Sequence, residues 1–167
     1  MRLEAFAALA YGAQCIQYFT YWQPVTTTWN FHHAPIDATG RRTDVYYMVR
    51  DLNREIQALA PIFLGCEVYD VSHTGAEIPE GTKRLEAMPR PFTGTVSASG
   101  CGVLVSYLKG GNGKEYVMVV NRDIDNAQRI DAPFRGKLRL VNPDGTMRQA
   151  SASEYVRPGG YLLYCLK

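Results

Sequence analysis

The sequence predicts an α+β fold in two parts. A helix–strand–helix unit occupies residues 1–65, a connecting segment runs over 66–91, and an antiparallel β-sandwich fills 92–167. Three observations carry this expectation. Two stretches repeat apolar residues at helical spacing, an aromatic-rich run lies between them, and beyond residue 65 short alternating segments are separated by turn signals.

The elements follow in order. Leu3, Phe6, Ala7 and Ala10 stand at i, i+3, i+4 and i+7, one face of a helix, and Gly12 is placed to stop it. Glu4 and the Tyr11–Gln14 segment argue against reading this stretch as a signal peptide. Cys15–Trp22 is almost continuously apolar and closed by Pro24, the texture of a strand covered on both faces. A long loop, which includes the threonines at 26–28, then runs from Gln23 to about Thr43. Thr43 or Asp44 is placed to cap a second helix. Along it Val45, Met48, Val49, Leu52, Ile56 and Leu59 form the apolar stripe, with Arg50, Asp51, Arg54 and Glu55 on or near the opposite face. Pro61 is expected just past its end.

The strands expected thereafter are Glu67–Ser72, Phe92–Ser97, Gly102–Lys109, Glu115–Asn121, Gln128–Ile130, Gly136–Val141, Met147–Ala150 and Tyr161–Leu166. Gly110–Gly113, Pro143–Gly145 and Pro158–Gly160 supply the turns between them. A single buried-type strand flanked by helices needs neighbours, so residues 1–65 read as the last unit of a larger α/β fold.

Composition bounds the function. Apolar residues make up 46% and charged residues 20%, enough for a packed core, and the net charge is +2. That balance provides no electrostatic attraction to nucleic acid or to an anionic membrane, and no apolar run is long enough to span a bilayer. The four cysteines, Cys15, Cys66, Cys101 and Cys165, show no CxxC pairing and are expected to be free, buried hydrophobes. His32 and His33 are adjacent, a poor spacing for one metal ion, and Asp123, Asp125 and Asp131 lack a calcium-loop pattern. No cofactor is expected.

The run Leu9-Ala10-Tyr11-Gly12-Ala13-Gln14-Cys15-Ile16-Gln17-Tyr18-Phe19-Thr20-Tyr21-Trp22 resembles the closing helix–strand of TIM-barrel glycoside hydrolases of the β-galactosidase-like type. The continuation is similar too, through Ile36-Asp37-Ala38-Thr39-Gly40, Tyr46 or Tyr47, and Leu52-Asn53-Arg54-Glu55-Ile56. The β-rich remainder resembles the C-terminal sandwich of such enzymes, at Val119–Asp123 and Pro158–Tyr161.

The resemblance implies that the first unit is a (β/α)8 barrel remnant, one of the eight β/α units of such a barrel. It also implies a C-terminal fragment of a carbohydrate-active hydrolase, with the sandwich as a brace. The catalytic carboxylates would come from the fourth and seventh strands, so no catalytic residue is carried over to this sequence. The parent enzyme would be periplasmic or extracellular.

Trp22, Tyr21 and Tyr18 are the candidate substrate-binding residues implied by the resemblance. They sit at the end of the expected strand, where barrel enzymes build their sites, and sugar C–H faces stack on such rings. Packing between strand and helices is the competing role for all three. An alternative function is a stand-alone glycan-binding sandwich using Tyr107, Tyr116 or Tyr155, although Tyr107 and Tyr116 would also serve as a cross-strand pair. With the edges of its strand uncovered, the helical unit is expected to dock on the sandwich, to form a homodimer or to aggregate.

Overall fold

A computed structural model describes residues 1–25 and 28–166. Thr26 and Thr27 of the long loop lie outside the described residues. The fold class is α+β, mostly sheet. Helices α1 (Arg2–Ala10) and α2 (Asp44–Phe63) precede β1 (Glu67–His73), β2 (Ser97–Ala98), β3 (Val103–Lys109), β4 (Glu115–Asn121), β5 (Gln128–Asp131), β6 (Arg139–Val141), β7 (Met147–Gln149), β8 (Ser153–Val156) and β9 (Tyr161–Cys165).

One six-stranded sheet has the order β1-β3-β4-β9-β6-β7, and a three-stranded sheet has the order β2-β5-β8. Every pairing between these strands is antiparallel. The side chains of the large sheet alternate between two cores, as the pleat requires. Leu104, Leu108, Tyr116, Met118, Val120 and Leu163 face the helices, where Phe6, Leu9, Leu52, Leu59 and Phe63 meet them. Val103, Val105, Val117, Val119, Leu162 and Tyr164 face the other way and pack with Ile130 and Val156 of the small sheet and with Ala132 just past β5. β4 is therefore covered on both faces, which explains its unbroken Tyr-Val-Met-Val-Val sequence.

The helices are fastened to this sheet by close backbone approaches. The β3–β4 turn lies against the end of α2, where the Gly111 N–H donates to the Ile62 carbonyl at 2.9 Å. A Cβ at Gly111 would fall 1.8 Å from the Leu64 carbonyl oxygen, so only glycine fits there. At the other end of the unit, a Cβ on Gly159 would stand 2.7 Å from the Leu3 nitrogen.

Several expectations are corrected. Cys15–Trp22 forms no strand, and only Trp22 makes an isolated bridge, to Ile36. A strand needs hydrogen-bonding neighbours, and none of the nine strands reaches this segment. Pro61 lies inside α2 rather than beyond it. Its missing N–H falls in the last turn, and burial of Ile62 and Phe63 carries the helix two residues further. Thr43 occupies the N-cap position, but its hydroxyl donates to the Ala34 and Pro35 carbonyls, at 2.8 and 3.1 Å, instead of capping.

Of the expected Phe92–Ser97 strand only Ser97 belongs to β2, while Phe92 bridges to Phe134. β8 was not expected at all. Ser153–Val156 is short and carries two polar residues, so only the Pro158–Gly160 turn that follows marks it. The cysteines were expected to be buried, but none is fully buried: Cys15 and Cys101 are exposed, and Cys66 and Cys165 are half-buried.

Candidate functional site

The candidate residues lie on the segment between the two helices, held from below by α2. Tyr18 is half-buried, and its hydroxyl donates to Asn53 Oδ1 at 2.8 Å. Burial pushes this phenol above its ordinary value, so it stays a donor across the physiological range. Asn53 lies one residue past Leu52, which is buried, and this turns the amide toward the edge of the apolar stripe.

Tyr21 and Trp22 are exposed, at 54% and 56%, and Phe19 is exposed at 90%. The Tyr21 carbonyl accepts from the Ile36 N–H at 2.9 Å, and the Gln23 N–H donates to the Ile36 carbonyl at 2.8 Å. These two bonds tie the end of the segment to the Ile36–Arg42 turn. Within that turn Asp37 accepts from the Thr39 and Arg41 backbone N–H groups and from the Thr39 hydroxyl. The Arg41 N–H, with the Thr39 hydroxyl next, holds the Asp37 carboxyl below the usual carboxylate range. Gly40, at φ +84°, closes the turn, and the Trp22 ring lies over it with the glycine's would-be Cβ 3.3 Å from Cη2.

The structure does not gather the three aromatics into one pocket. Tyr18 lines a groove of about 620 Å³ with Phe19, Ile16, His33, Val45 and Val49. Tyr21 lines a separate hollow of about 270 Å³ with Tyr46, Arg50 and Asn53. Trp22 stands on neither wall. The larger groove contains a single carboxylate among its lining residues, Glu4. Glycoside hydrolysis by the common route requires two carboxyl groups flanking the scissile bond, so this groove has a binding surface without that acid pair.

Sequence reasoning placed Glu55 on the exposed face of α2, and this is a further correction. Glu55 is 7% exposed and accepts both terminal nitrogens of Arg2, at 2.7 and 3.1 Å, and one of Arg157 at 3.3 Å. The signal was present: Leu52, Glu55 and Leu59 share one helical face. The Tyr161 hydroxyl is buried in the same place, where burial first and the Glu55 charge next hold the phenol far above its ordinary value. These groups line a cavity of about 190 Å³ that also contains Glu154. Each carboxylate there is engaged by arginine, Glu154 by Arg148 at 2.7 Å, so the cluster joins the helices to the sandwich and holds no free acid or base.

The sandwich aromatics do not form a binding platform. Tyr116 is fully buried, and its cross-strand partner is Leu108. Tyr107 is opposite Val117, so Tyr107 and Tyr116 are not a pair: one residue of register puts them on opposite faces. Tyr107 instead meets Tyr69 edge-on, with ring centroids 5.0 Å apart, and Tyr155 stands exposed on β8. Asp123 accepts from the Asp125 and Asn126 backbone N–H groups, an Asx-type turn in the position considered for calcium. Among the described residues no group of three or more His, Cys, Asp or Glu is placed to hold a metal ion. No helix among them is long and apolar enough to cross a membrane.

Together these features define an α+β chain whose helical unit carries an exposed aromatic segment and is pinned to two antiparallel sheets. Comparison with known families adds one match. The glycoside hydrolase 42 family, described as beta-galactosidase, matches residues 1–59, about a third of the chain. The helical unit is thus similar to part of a glycoside hydrolase, and the match supports a glycoside hydrolase-related origin. No curated protein and no solved structure matches the chain.

Proposed function

We propose that this chain is the C-terminal part of a glycoside hydrolase of the β-galactosidase-like type, with residues 1–65 as the last unit of its (β/α) barrel. The observation that carries the reading is the family match over residues 1–59, which ends inside α2 and includes the whole aromatic segment. Two features of the fold support it. The segment Cys15–Trp22 has strand-forming composition without strand neighbours, and the residues of the Leu52–Ile56 motif attach the unit to the rest of the chain. Leu52 fills the core, Asn53 holds Tyr18, and Glu55 joins α1 to the β8–β9 turn.

On this reading the sandwich braces the barrel. Trp22, Tyr21 and Tyr18 contribute to the sugar-facing end, stacking on C–H faces and donating hydroxyl protons. Catalysis requires carboxylates supplied by other barrel strands, and the chain by itself is inactive.

The test is the coding sequence upstream of the Met1 codon, read in the same frame, followed by assay. An upstream frame encoding alternating strands and helices with two strand-end glutamates, together with galactoside hydrolysis by the joined polypeptide and none by residues 1–167, supports the proposal. An unrelated upstream sequence, or hydrolysis by this chain alone, rejects it.

A further inference from the structure

The turn between β3 and β4 carries a reactive pair that the glycosidase reading leaves unused. Of the six asparagines in the chain, Asn112 alone is followed by glycine. Asparagine is among the thermally labile residues, because its side-chain carbonyl carbon lies within a five-membered ring's reach of the next backbone nitrogen. Gly113, at φ +81°, puts no side chain in the way of that ring, and a Cβ there would meet nothing within 4 Å. Asn112 is exposed at the tip of the turn, with its amide already oriented. Its Oδ1 accepts from the Lys114 N–H at 3.2 Å, a donor that stabilises negative charge as a nucleophile adds to Cγ. Its Nδ2 donates to the Tyr116 hydroxyl at 2.9 Å. The other asparagines are less exposed to this reaction. Asn121 is fully buried and spends its amide N–H groups on three carbonyls, and Asn53 lies inside α2. Asn142 precedes Pro143, which has no N–H, and Asn30 and Asn126 precede residues with side chains.

We propose that Asn112 is a site of spontaneous backbone modification, and that its isoaspartyl product loosens the β3–β4 turn from the end of α2. The Gly113 nitrogen bonds to Asn112 Cγ, the Cγ–Nδ2 bond breaks, and the amide nitrogen leaves as ammonia with the proton lost from Gly113. Water then opens the resulting succinimide at either carbonyl, to aspartate or to isoaspartate. The Gly113 N–H donates to the Gly110 carbonyl at 2.8 Å, and this bond opens for the reaction. The bond from the Gly110 N–H to the Lys114 carbonyl, also 2.8 Å, meanwhile keeps the hairpin closed. The two products differ in what they do to the turn. An aspartate keeps the backbone path, and its carboxylate accepts from both the Lys114 N–H and the Tyr116 hydroxyl. An isoaspartate adds a carbon to the backbone between Gly111, whose N–H donates to the Ile62 carbonyl at 2.9 Å, and β4. Gly111 packs against the Leu64 carbonyl too closely even for a Cβ, so the lengthened turn gives up one of these bonds. The inference goes beyond the glycosidase reading and draws nothing from what the chain binds or hydrolyses.

Ageing the full chain in mildly alkaline buffer at body temperature, followed by peptide mapping and by methyl transfer with an isoaspartate-specific methyltransferase, tests this. The expected result is a one-mass-unit gain at Asn112 at least tenfold faster than at any other asparagine, with the methyl label in the same peptide. Asn112→Gln should remove both signals. The urea midpoint of the aged chain should fall in step with its isoaspartate content, whereas Asn112→Asp should keep the midpoint of the fresh chain. An Asn112 that stays intact, or reacts no faster than the other asparagines, overturns the inference. So does an isoaspartyl chain with an unchanged midpoint, or an equal fall in aged Asn112→Gln. None of these results depends on the upstream coding sequence or on hydrolysis, so the two proposals fail separately.

Discussion

Tyr116–Val120 and Cys15–Trp22 are both rich in β-branched and aromatic residues, yet the first is fully buried between two cores and the second is largely exposed. β4 has β3 on one edge and β9 on the other, so every backbone group is paired and each face meets its own apolar layer. Cys15–Trp22 has helices nearby but no strand on either edge. Composition states how much burial a segment is suited to. It does not supply the neighbours that provide that burial, and an unpaired backbone in an apolar setting is costly enough to keep the segment in contact with water.

Substitutions that truncate rings in the two runs should separate them most sharply. Tyr116→Ala removes a fully buried side chain and should cost about 3 to 5 kcal/mol in urea unfolding. Phe19→Ala removes a ring that is 90% exposed and should shift stability by less than about 0.5 kcal/mol. Comparable losses at the two positions would show that the N-terminal run is covered after all.

The joint between the regions ranks next. Glu55→Ala leaves Arg2 without its partner in a part-buried site and should cost about 3 kcal/mol. A double-mutant cycle with Arg157→Ala should return a non-additive term. Strict additivity would mean that the turn before β9 does not hold α2 through this carboxylate.

His73 tests the other end of the contact. It is 3% exposed on β1, its Nε2 is 3.0 Å from the Tyr11 hydroxyl, and burial first, then the Arg122 charge, lower its pKa below 6.5. The unfolded chain therefore binds a proton that the folded chain refuses. Stability is intact above pH 6.5 and declines as pH falls below it. His73→Gln should flatten urea midpoints across that window, and an unchanged slope would place the acid sensitivity elsewhere.

A single hydrogen bond sharpens the comparison within the N-terminal run. Tyr18→Phe loses only the bond to Asn53 and should cost about 1 kcal/mol. A cost near zero would mean that α2 does not anchor the segment through this hydroxyl.

Local patterning was enough for both helices, for seven of the strands at close to their bounds, and for the glycine turns. These depend on period and on backbone freedom, which neighbouring residues in the chain determine. The aromatic candidates were legible as residue types, but their division between two hollows was not, because it depends on which helix face lies beneath each ring. Asn53 and Glu55 were visible in the motif without roles, since their partners stand 35 residues away in Tyr18, and 53 and 102 away in Arg2 and Arg157.

The sequence by itself determined where helices, turns and apolar faces fall. Only the tertiary structure decided which apolar run became a central strand, which tyrosine of a hairpin faced inward, and which glutamate of a helix was buried. Each of those outcomes is set by a partner distant in the chain, through hydrogen-bond pairing, one residue of register, or a counter-charge that makes burial tolerable.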